Sequence, residues 1–310
     1  MLNLIRYQAD LRPIWDAFVR NSCNGTFLFE RDFMDYHADR FQDFSVLIFK
    51  KNQLIAVFPA TVSQNKISSH AGLSYGGLIY DKMSQQTSND ILEALISFYE
   101  SAGISEISCK LIPEIYNQKP ANHWEYSLFQ KGAQLYRNDA LSAIDYSFPI
   151  AFSDLRNRHL KAAAQSDVQI SNKTDLSTFW NEVLIPVLQQ RHGIEPVHTA
   201  AEITLLQQRF PENIILYTMS LNQQLLGGTV LFVTRQTVHA QYIAMRKDRE
   251  IKGAFDRLFA QIILEFKDKK FFSFGISTER DGMYLNSGLI AWKESFGAQT
   301  YCQRFYRLTI

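Results

Sequence analysis

The chain has 310 residues, 46% of them hydrophobic and 20% charged, with a formal net charge of +1 at pH 7. That size and composition suit a globular protein of about two domains with a sizeable core. The near-zero charge excludes broad electrostatic capture of nucleic acid, which needs a basic surplus, so DNA is not an expected partner. No apolar run approaches the roughly 18 residues that span a bilayer. The opening MLNLIRYQAD meets charge too early for the core of a signal peptide, and the expected location is the cytoplasm. Cys23, Cys109 and Cys302 are odd in number and widely spaced, which suggests neither a disulfide framework nor a metal site.

Residues 11–21 read as an amphipathic helix with Pro13 tolerated in its first turn. Asn24-Gly25 breaks the chain, and residues 30–40 read as a second short helix. Alternating apolar residues over 46–62 predict a hairpin turning at Lys51-Asn52-Gln53. The segment 68–80, rich in glycine, predicts a bent strand or a place where backbone approaches a neighbour closely. A helix over 91–101, a strand over 104–111, a helix over 118–131 and strands up to 148 complete the first half. Residues 148–154 mark the expected boundary between domains 1–150 and 151–310, with Ser153 or Asp154 capping the helix that follows. Helices are predicted over 175–190 and 199–209, the latter opened by Thr199 with Glu202 three residues on, a capping-box pattern. A second hairpin (214–233), a strand (237–245), a helix from 252 and a strand (271–276) come next.

One block of sequence therefore occurs twice. Hairpin, helix and strand are followed in the first half by Leu128-Phe-Gln-Lys-Gly132 and in the second by Trp292-Lys-Glu-Ser-Phe-Gly297. The copies lie roughly 165 residues apart, too long for a solenoid and suited to a duplicated domain. Two such halves are expected to enclose a cleft, with one half keeping the chemistry and the other acting as a wall.

The element order, with Asn286, Leu289, Trp292, Lys293, Phe296 and Gly297 spaced as they are, resembles the GNAT acyltransferase fold in tandem. Tandem GNAT-like halves, with Arg156-x-x-His159-Leu-Lys-Ala162 at the entry to the second, are similar to the Fem-type aminoacyltransferases. Pro196-Val-His198, Arg209-Phe-Pro211, His239-Ala-Gln-Tyr242 and Phe274-Gly-Ile-Ser-Thr-Glu279 look like a related bacterial branch associated with surface-polysaccharide synthesis. The resemblance implies an α/β fold of two GNAT-like domains, each around a central mixed sheet. It further implies an N-acyltransferase that uses acetyl-CoA or another acyl-CoA and a small-molecule amine acceptor such as an amino-sugar precursor. The Fem-type alternative takes aminoacyl-tRNA as donor and a cell-wall precursor as acceptor. A third reading is a silent ligand-binding or scaffold protein, since fold alone does not confer activity.

GNAT enzymes hold the CoA pyrophosphate at a glycine-rich helix N-terminus, where free N–H groups favour anions. The best register here is Arg249, Lys252, Gly253 and Ala254, with lysine where the family has its central glycine. Fem-type enzymes lack a conventional loop of this kind.

Candidate catalytic residues follow from position and chemistry. Glu279 comes just after the strand ending at Gly275, where ligands collect in open α/β sheets. It is either a base whose burial raises its pKa or a solvated loop residue beside Arg280. On the strand 237–245, alternation puts His239 and Gln241 on one face and Tyr242 on the other with Val238 and Ala240. His239 reads as a base near neutral pH, and Tyr242 as a proton donor to a leaving group, against a packed alternative for both. Tyr284 is a second candidate acid, while Asn286 reads as an N-cap. Lys293 and Glu294 read as a surface or interdomain pair. In the first half His70 and Tyr75 read as acceptor-binding groups, or as packed aromatics of a twisted strand. Gln241 and His198 join them as substrate-binding candidates.

Overall fold

The computed structural model of the chain describes every residue but Glu250, and the side chains of His192 and Arg249 lie outside what it describes. Two compact units emerge. The first comprises Met1–Ala140, Thr278–Tyr284 and Cys302–Ile310, and the second Leu141–Ser277 and Leu285–Tyr301.

In the first unit, strand β1 (Leu2–Arg6) is followed by helix α1 (Arg12–Asn21). The hairpin β2 (Val46–Lys50) and β3 (Gln53–Phe58) turns through Lys51 and Asn52, both at positive φ, as a two-residue hairpin of this hand requires. Strand β4 (Lys66–Ser69), the short β5 (Ile79–Tyr80), helix α2 (Gln85–Ser101), strand β6 (Glu106–Lys110) and helix α3 (His123–Gln130) follow. Strands β1, β2, β3 and β5 form one antiparallel sheet. Strand β4 runs parallel to β6.

Helix α2 begins six residues before its expected start because the Ser84 hydroxyl accepts from the Thr87 N–H and caps it. Helix α3 begins later than expected, at His123, since Pro120 disfavours helical geometry in the residue before it. The expected helix over 30–40 shrinks to Arg31–Met34 plus a 3-10 turn, Asp35–His37.

The second unit takes in the end of strand β7 (Gln134–Asp145), then helix α4 (Asp154–Ala163), capped by Ser153 as expected. The expected helix over 175–190 is broken into Leu176–Phe179, a π-helical turn Trp180–Leu184 and helix α5 (Ile185–His192). Thr199 and Glu202 form the expected capping box at the start of helix α6 (Ala200–Arg209). Strands β8 (Ile214–Leu221), β9 (Gln224–Val233) and β10 (Thr237–Met245) form an antiparallel meander, again with a positive-φ turn, at Asn222 and Gln223. Helix α7 (Ala254–Glu265) then leads to strand β11 (Phe271–Ile276), parallel to β10 and antiparallel to the end of β7. Helix α8 (Ser287–Glu294), capped by Asn286 as expected, precedes the C-terminal strand β12 (Gln299–Thr309). The residues of β12 from Phe305 onward pair with β6 of the first unit, whose compact body they belong to.

Each unit has its own apolar core. Ile91, Leu92, Leu95 and Tyr99 of α2 pack under β2 and β3 in the first, with Leu128 of α3. In the second, Leu258, Phe259, Ile262 and Ile263 of α7 pack on Val238, Phe272, Phe274 and Phe296. Full burial of side chains this size contributes about 1.5–3 kcal/mol each, so the apolar face of α2 stabilises the first unit and that of α7 the second. No helix among the described residues is long and apolar enough to cross a membrane.

Candidate functional site

The second unit contains a wedge between two parallel strands. Strands β10 and β11 pair only at Thr237 with Phe271, Val238 with Phe272 and His239 with Ser273. Beyond that point β10 continues along β9 to Met245, while β11 follows β7 as far as Ile276. Past His239 the two strands no longer share a ladder, and the carboxyl ends of parallel strands are where open α/β sheets receive ligands.

Lys293 of α8 reaches the end of β11. Its Nζ donates to the carbonyl of Gly275 at 2.9 Å and to that of Ile276 at 2.6 Å. The residue is only 2% exposed, and burial lowers its pKa to about 7. As a neutral amine it spends both hydrogens on these carbonyls and keeps a lone pair. The expectation of a surface or interdomain pair with Glu294 is therefore overturned. Position alone on the helix misled: α8 is short, and its interior side falls on Lys293, its one fully buried residue.

His239 lies beside this group. Its Nδ1 is 3.0 Å from Ser273 Oγ, which also accepts from the Gly275 N–H at 3.2 Å. Burial, then the charge of Lys293, lowers the imidazole to about 4, so His239 is neutral at physiological pH. Gly275 sits at φ 74°, and a Cβ there would stand 3.3 Å from His239 Cε1. Glycine supplies both the left-handed turn and the room for the ring.

Tyr242 does not share the face of Val238 and Ala240. A bulge in the β9–β10 ladder lets Val230 oppose Tyr242 and Leu231 oppose Ala240, which leaves Gln241 over. The extra residue reverses the alternation: Val238 and Ala240 enter the core with α7, and so do Ile243 and Met245. Tyr242 instead packs on Trp180, with ring centroids 4.8 Å apart, and its hydroxyl makes a short hydrogen bond with His198 Nδ1. Trp180 Nε1 donates to the His198 carbonyl at 3.0 Å. Two candidates drawn from separate segments, His198 and Tyr242, are thus brought into contact beside the π-helical turn. Bulges of both kinds concentrate near functional sites.

The chain just before α7 packs closely against α4 at Gly253. Gly253 caps the helix at φ 78°, and a Cβ there would meet the His159 carbonyl oxygen at 2.4 Å. Ala254 is buried, Lys252 is exposed, and the Arg249 side chain lies outside the described residues. In the first turn of α7, the buried Asp256 carboxylate pairs with Arg156, sits 2.8 Å from His159 Nδ1 and accepts from Trp292 Nε1 at 3.3 Å. Arg156 and His159, two residues that carry the Fem-type resemblance, thus anchor α4 onto the helix start.

Glu279 and Tyr284 lie on a two-stranded ribbon, Thr278–Glu279 with Tyr284–Leu285, and both are exposed. The Arg280 guanidinium carbon lies 5.3 Å from the Tyr284 ring centroid. In the first unit His70 and Tyr75 are both buried. Burial, then His37, Arg31 and Lys110, holds the His70 imidazole down at about 3. The Tyr75 hydroxyl donates to Thr26 Oγ1 at 3.1 Å, and its ring lies tilted against that of Tyr116 with centroids 4.5 Å apart.

No protein-family model and no curated protein matches the chain. Solved structures do. FemX superposes with a TM-score of 0.71 at 10% identity, covering 99% of this chain and 97% of that one. The C-terminal domain of a putative lysylphosphatidylglycerol synthetase from Agrobacterium fabrum gives 0.58 at 13% identity, over 82% of this chain and 80% of that one. A tandem GNAT protein from the clavulanic acid biosynthesis pathway gives 0.54 at 8% identity, over 100% of this chain and 98% of that one. At such identities the likeness is one of fold. The chain has the Fem-like, tandem GNAT fold, as its sequence pattern implies.

Proposed function

We propose that the chain is a transferase that moves an aminoacyl or acyl group to an amine at the β10–β11 wedge. The observation that carries this reading is Lys293, a buried amine lowered to about 7 and aimed at the strand end by two carbonyls. A general base works best when its pKa lies near the working pH, and enzymes bring lysine down to that range by burial. The acceptor amine attacks the carbonyl carbon of the donor ester or thioester. A C–N bond forms, Lys293 takes the proton from the attacking nitrogen, and the C–O or C–S bond breaks as the leaving group gains a proton. Backbone N–H groups where the strands part polarise the carbonyl. His239, neutral and fixed by Ser273, positions the strand end, and Tyr242 with His198 forms the polar side of the same unit.

Aminoacyl-tRNA is preferred over acyl-CoA as donor. Lysine stands at 252 where the acyl-CoA loop has its central glycine, the backbone at Gly253 lies close against the His159 carbonyl, and the first turn of α7 is already engaged through Asp256 with Arg156 and His159. A cell-wall precursor amine is the acceptor that goes with this donor, and an amino-sugar precursor the one that goes with acyl-CoA. The test measures transfer of labelled amino acid from charged tRNA, and of acetyl from acetyl-CoA, to a panel of amines. Transfer from tRNA, with kcat/KM rising through an apparent pKa near 7 that Lys293→Arg abolishes, supports the reading. Thermal stabilisation by acetyl-CoA at tens of micromolar would return the donor to acyl-CoA. Absence of transfer from both donors overturns the reading.

A further inference from the structure

The bulge in β10 leaves one residue without a place in the ladder, and that residue stands at the wedge. Leu231 opposes Ala240 and Val230 opposes Tyr242, so Gln241 faces no residue of β9. It lies two positions beyond His239, the last residue of β10 to pair with β11. Ala240 and Ile243 enter the α7 core on either side of it, which puts Gln241 on the opposite face, with His239. Gln241 is partly exposed. Burial and the charge of Lys293 lower the His239 imidazole, and a hydrogen bond from its ring to the Gln241 side chain raises it. A group that raises an imidazole stabilises its N–H, so Gln241 accepts here, through Oε1.

The rest of the network fits this direction. The Gly275 N–H donates to Ser273 Oγ at 3.2 Å, and Ser273 Oγ lies 3.0 Å from His239 Nδ1. Ser273 is fully buried, so its own hydroxyl hydrogen needs an acceptor, and Nδ1 stands beside it. A neutral imidazole has a single N–H. When Nδ1 accepts from Ser273, that hydrogen is on Nε2 and serves Gln241 Oε1. The chain of donors runs from Gly275 through Ser273 and His239 and ends on the Gln241 amide, whose NH2 keeps its hydrogens for the wedge. Gly275 is also the residue whose carbonyl holds Lys293 Nζ at 2.9 Å. One residue thus fixes both groups, Lys293 through its carbonyl and Gln241 through its N–H.

We propose that Gln241 is a catalytic residue, its side-chain N–H donating to the carbonyl oxygen of the donor ester or thioester as the amine adds. In that step the C–N bond forms and the π pair of the C=O bond moves onto oxygen. The amide hydrogen bond strengthens as this charge grows. Collapse of the adduct returns the pair and expels the leaving group. A donor held in place beforehand stabilises such charge without reorganisation. This role rests on the transfer reading and supplies Lys293 with an electrophilic partner.

Two measurements on the intact chain test it. In the first, 15N-labelled histidine reports the tautomer of His239, whose signals, among those of the 7 histidines, are missing in His239→Asn. At pH 7 the proton is expected on Nε2. A proton on Nδ1 overturns the proposal, because the Gln241 amide would then turn its NH2 to the ring and its oxygen to the wedge. If His239→Asn does not fold, the signals that Gln241→Met moves take their place. The second measurement is kinetic. Gln241→Met has similar length and lacks the donor, so kcat is expected to fall by roughly 10²–10³-fold, as on loss of one oxyanion donor. KM for the donor should stay within about twofold, and the rise of kcat/KM near 7 should remain, since Lys293 is intact. Gln241→Glu, which puts an oxygen in place of the NH2, is expected to lose at least as much. If both variants keep kcat within about twofold, or change only KM, Gln241 is not the donor and the transfer reading stands without it. If the wild-type chain transfers from neither donor, the reading itself has failed and the role of Gln241 falls with it.

Discussion

The two copies of the repeated block differ most at one interior helix position. When their closing glycines, Gly132 and Gly297, are set level, Lys293 of the second copy falls on Leu128 of the first. Both are buried, to 2% and 1% exposure. Both glycines take the left-handed conformation that ends such a helix, at φ 80° and 88°. The same place in the same local fold thus accepts an aliphatic side chain, so packing does not call for an amine in the second copy. Desolvating a lysine opposes its charged form, and a protein that retains one at a strand end gains something other than stability. The wedge of the second unit agrees with this division, since Lys293, His239 and Ser273 gather at it.

The largest effect is expected from making the second copy like the first. Lys293→Leu should lower the transfer rate by roughly 10²–10³-fold, the usual contribution of a positioned acid–base group, while circular dichroism shows an unchanged fold. A variant that keeps its activity would remove Lys293 from the chemistry. The same variant gives a pH test with a defined sign. Lys293 has a folded pKa lowered to about 7 and an unfolded one near 10.4. Between these values the unfolded chain binds more protons, so wild-type stability should rise with pH relative to the variant from about 7 to about 10. Paired urea melts at pH 7 and pH 10 check it, and a constant difference would mean that Lys293 is not desolvated.

The converse change, Leu128→Lys, buries an amine in the apolar core of the first unit. A loss of about 3 kcal/mol or more is expected in urea unfolding, as for an uncompensated buried charge. A neutral result would show that the first copy can also hold a lysine at this position, and the contrast between the copies would lose its force. Arg156→Met probes the helix starts. Helix α2 is capped by a serine hydroxyl, whereas α7 depends on Asp256 held by Arg156 and His159. Removing Arg156 leaves Asp256 buried with one partner fewer, at a cost of about 3 kcal/mol. A loss below about 1 kcal/mol, the usual worth of a surface pair, would mean that the pair is solvated.

Much of this architecture was legible in the residues. Hairpin alternation, the Ser153 cap, the Thr199–Glu202 capping box and the Asn286 cap all act through near neighbours in sequence, and each appears where the pattern puts it. What depended on tertiary contact was not legible. The bulge at Gln241 has no signature of its own in His239-Ala-Gln-Tyr242, yet it moves Tyr242 from the core face to Trp180 and His198. Lys293 looked like a solvent-facing residue because lysine is rarely fully buried. Only the register between the copies, with Leu128 as its counterpart, could have shown its burial beforehand. His70 and Tyr75 carried the chemistry of a binding surface, but their segment folds inward, so burial decides their state.

Glu279 provides the smallest expected effect and the sharpest check on where the proton goes. A carboxylate acts as a base near neutral pH when burial or a like charge destabilises its ionised form. Glu279 is exposed on its short ribbon, just before Arg280 and Asp281, which form the left-handed turn at φ 50° and 53°. Glu279→Gln keeps shape and hydrogen bonding while removing the basic oxygen, so kcat/KM should stay within about twofold and its pH profile should keep the rise near 7. If instead the variant lost 10²-fold or more and the rise vanished, the base would be Glu279. Lys293 would then act through its charge, and Lys293→Arg, which keeps that charge, would be expected to remain active.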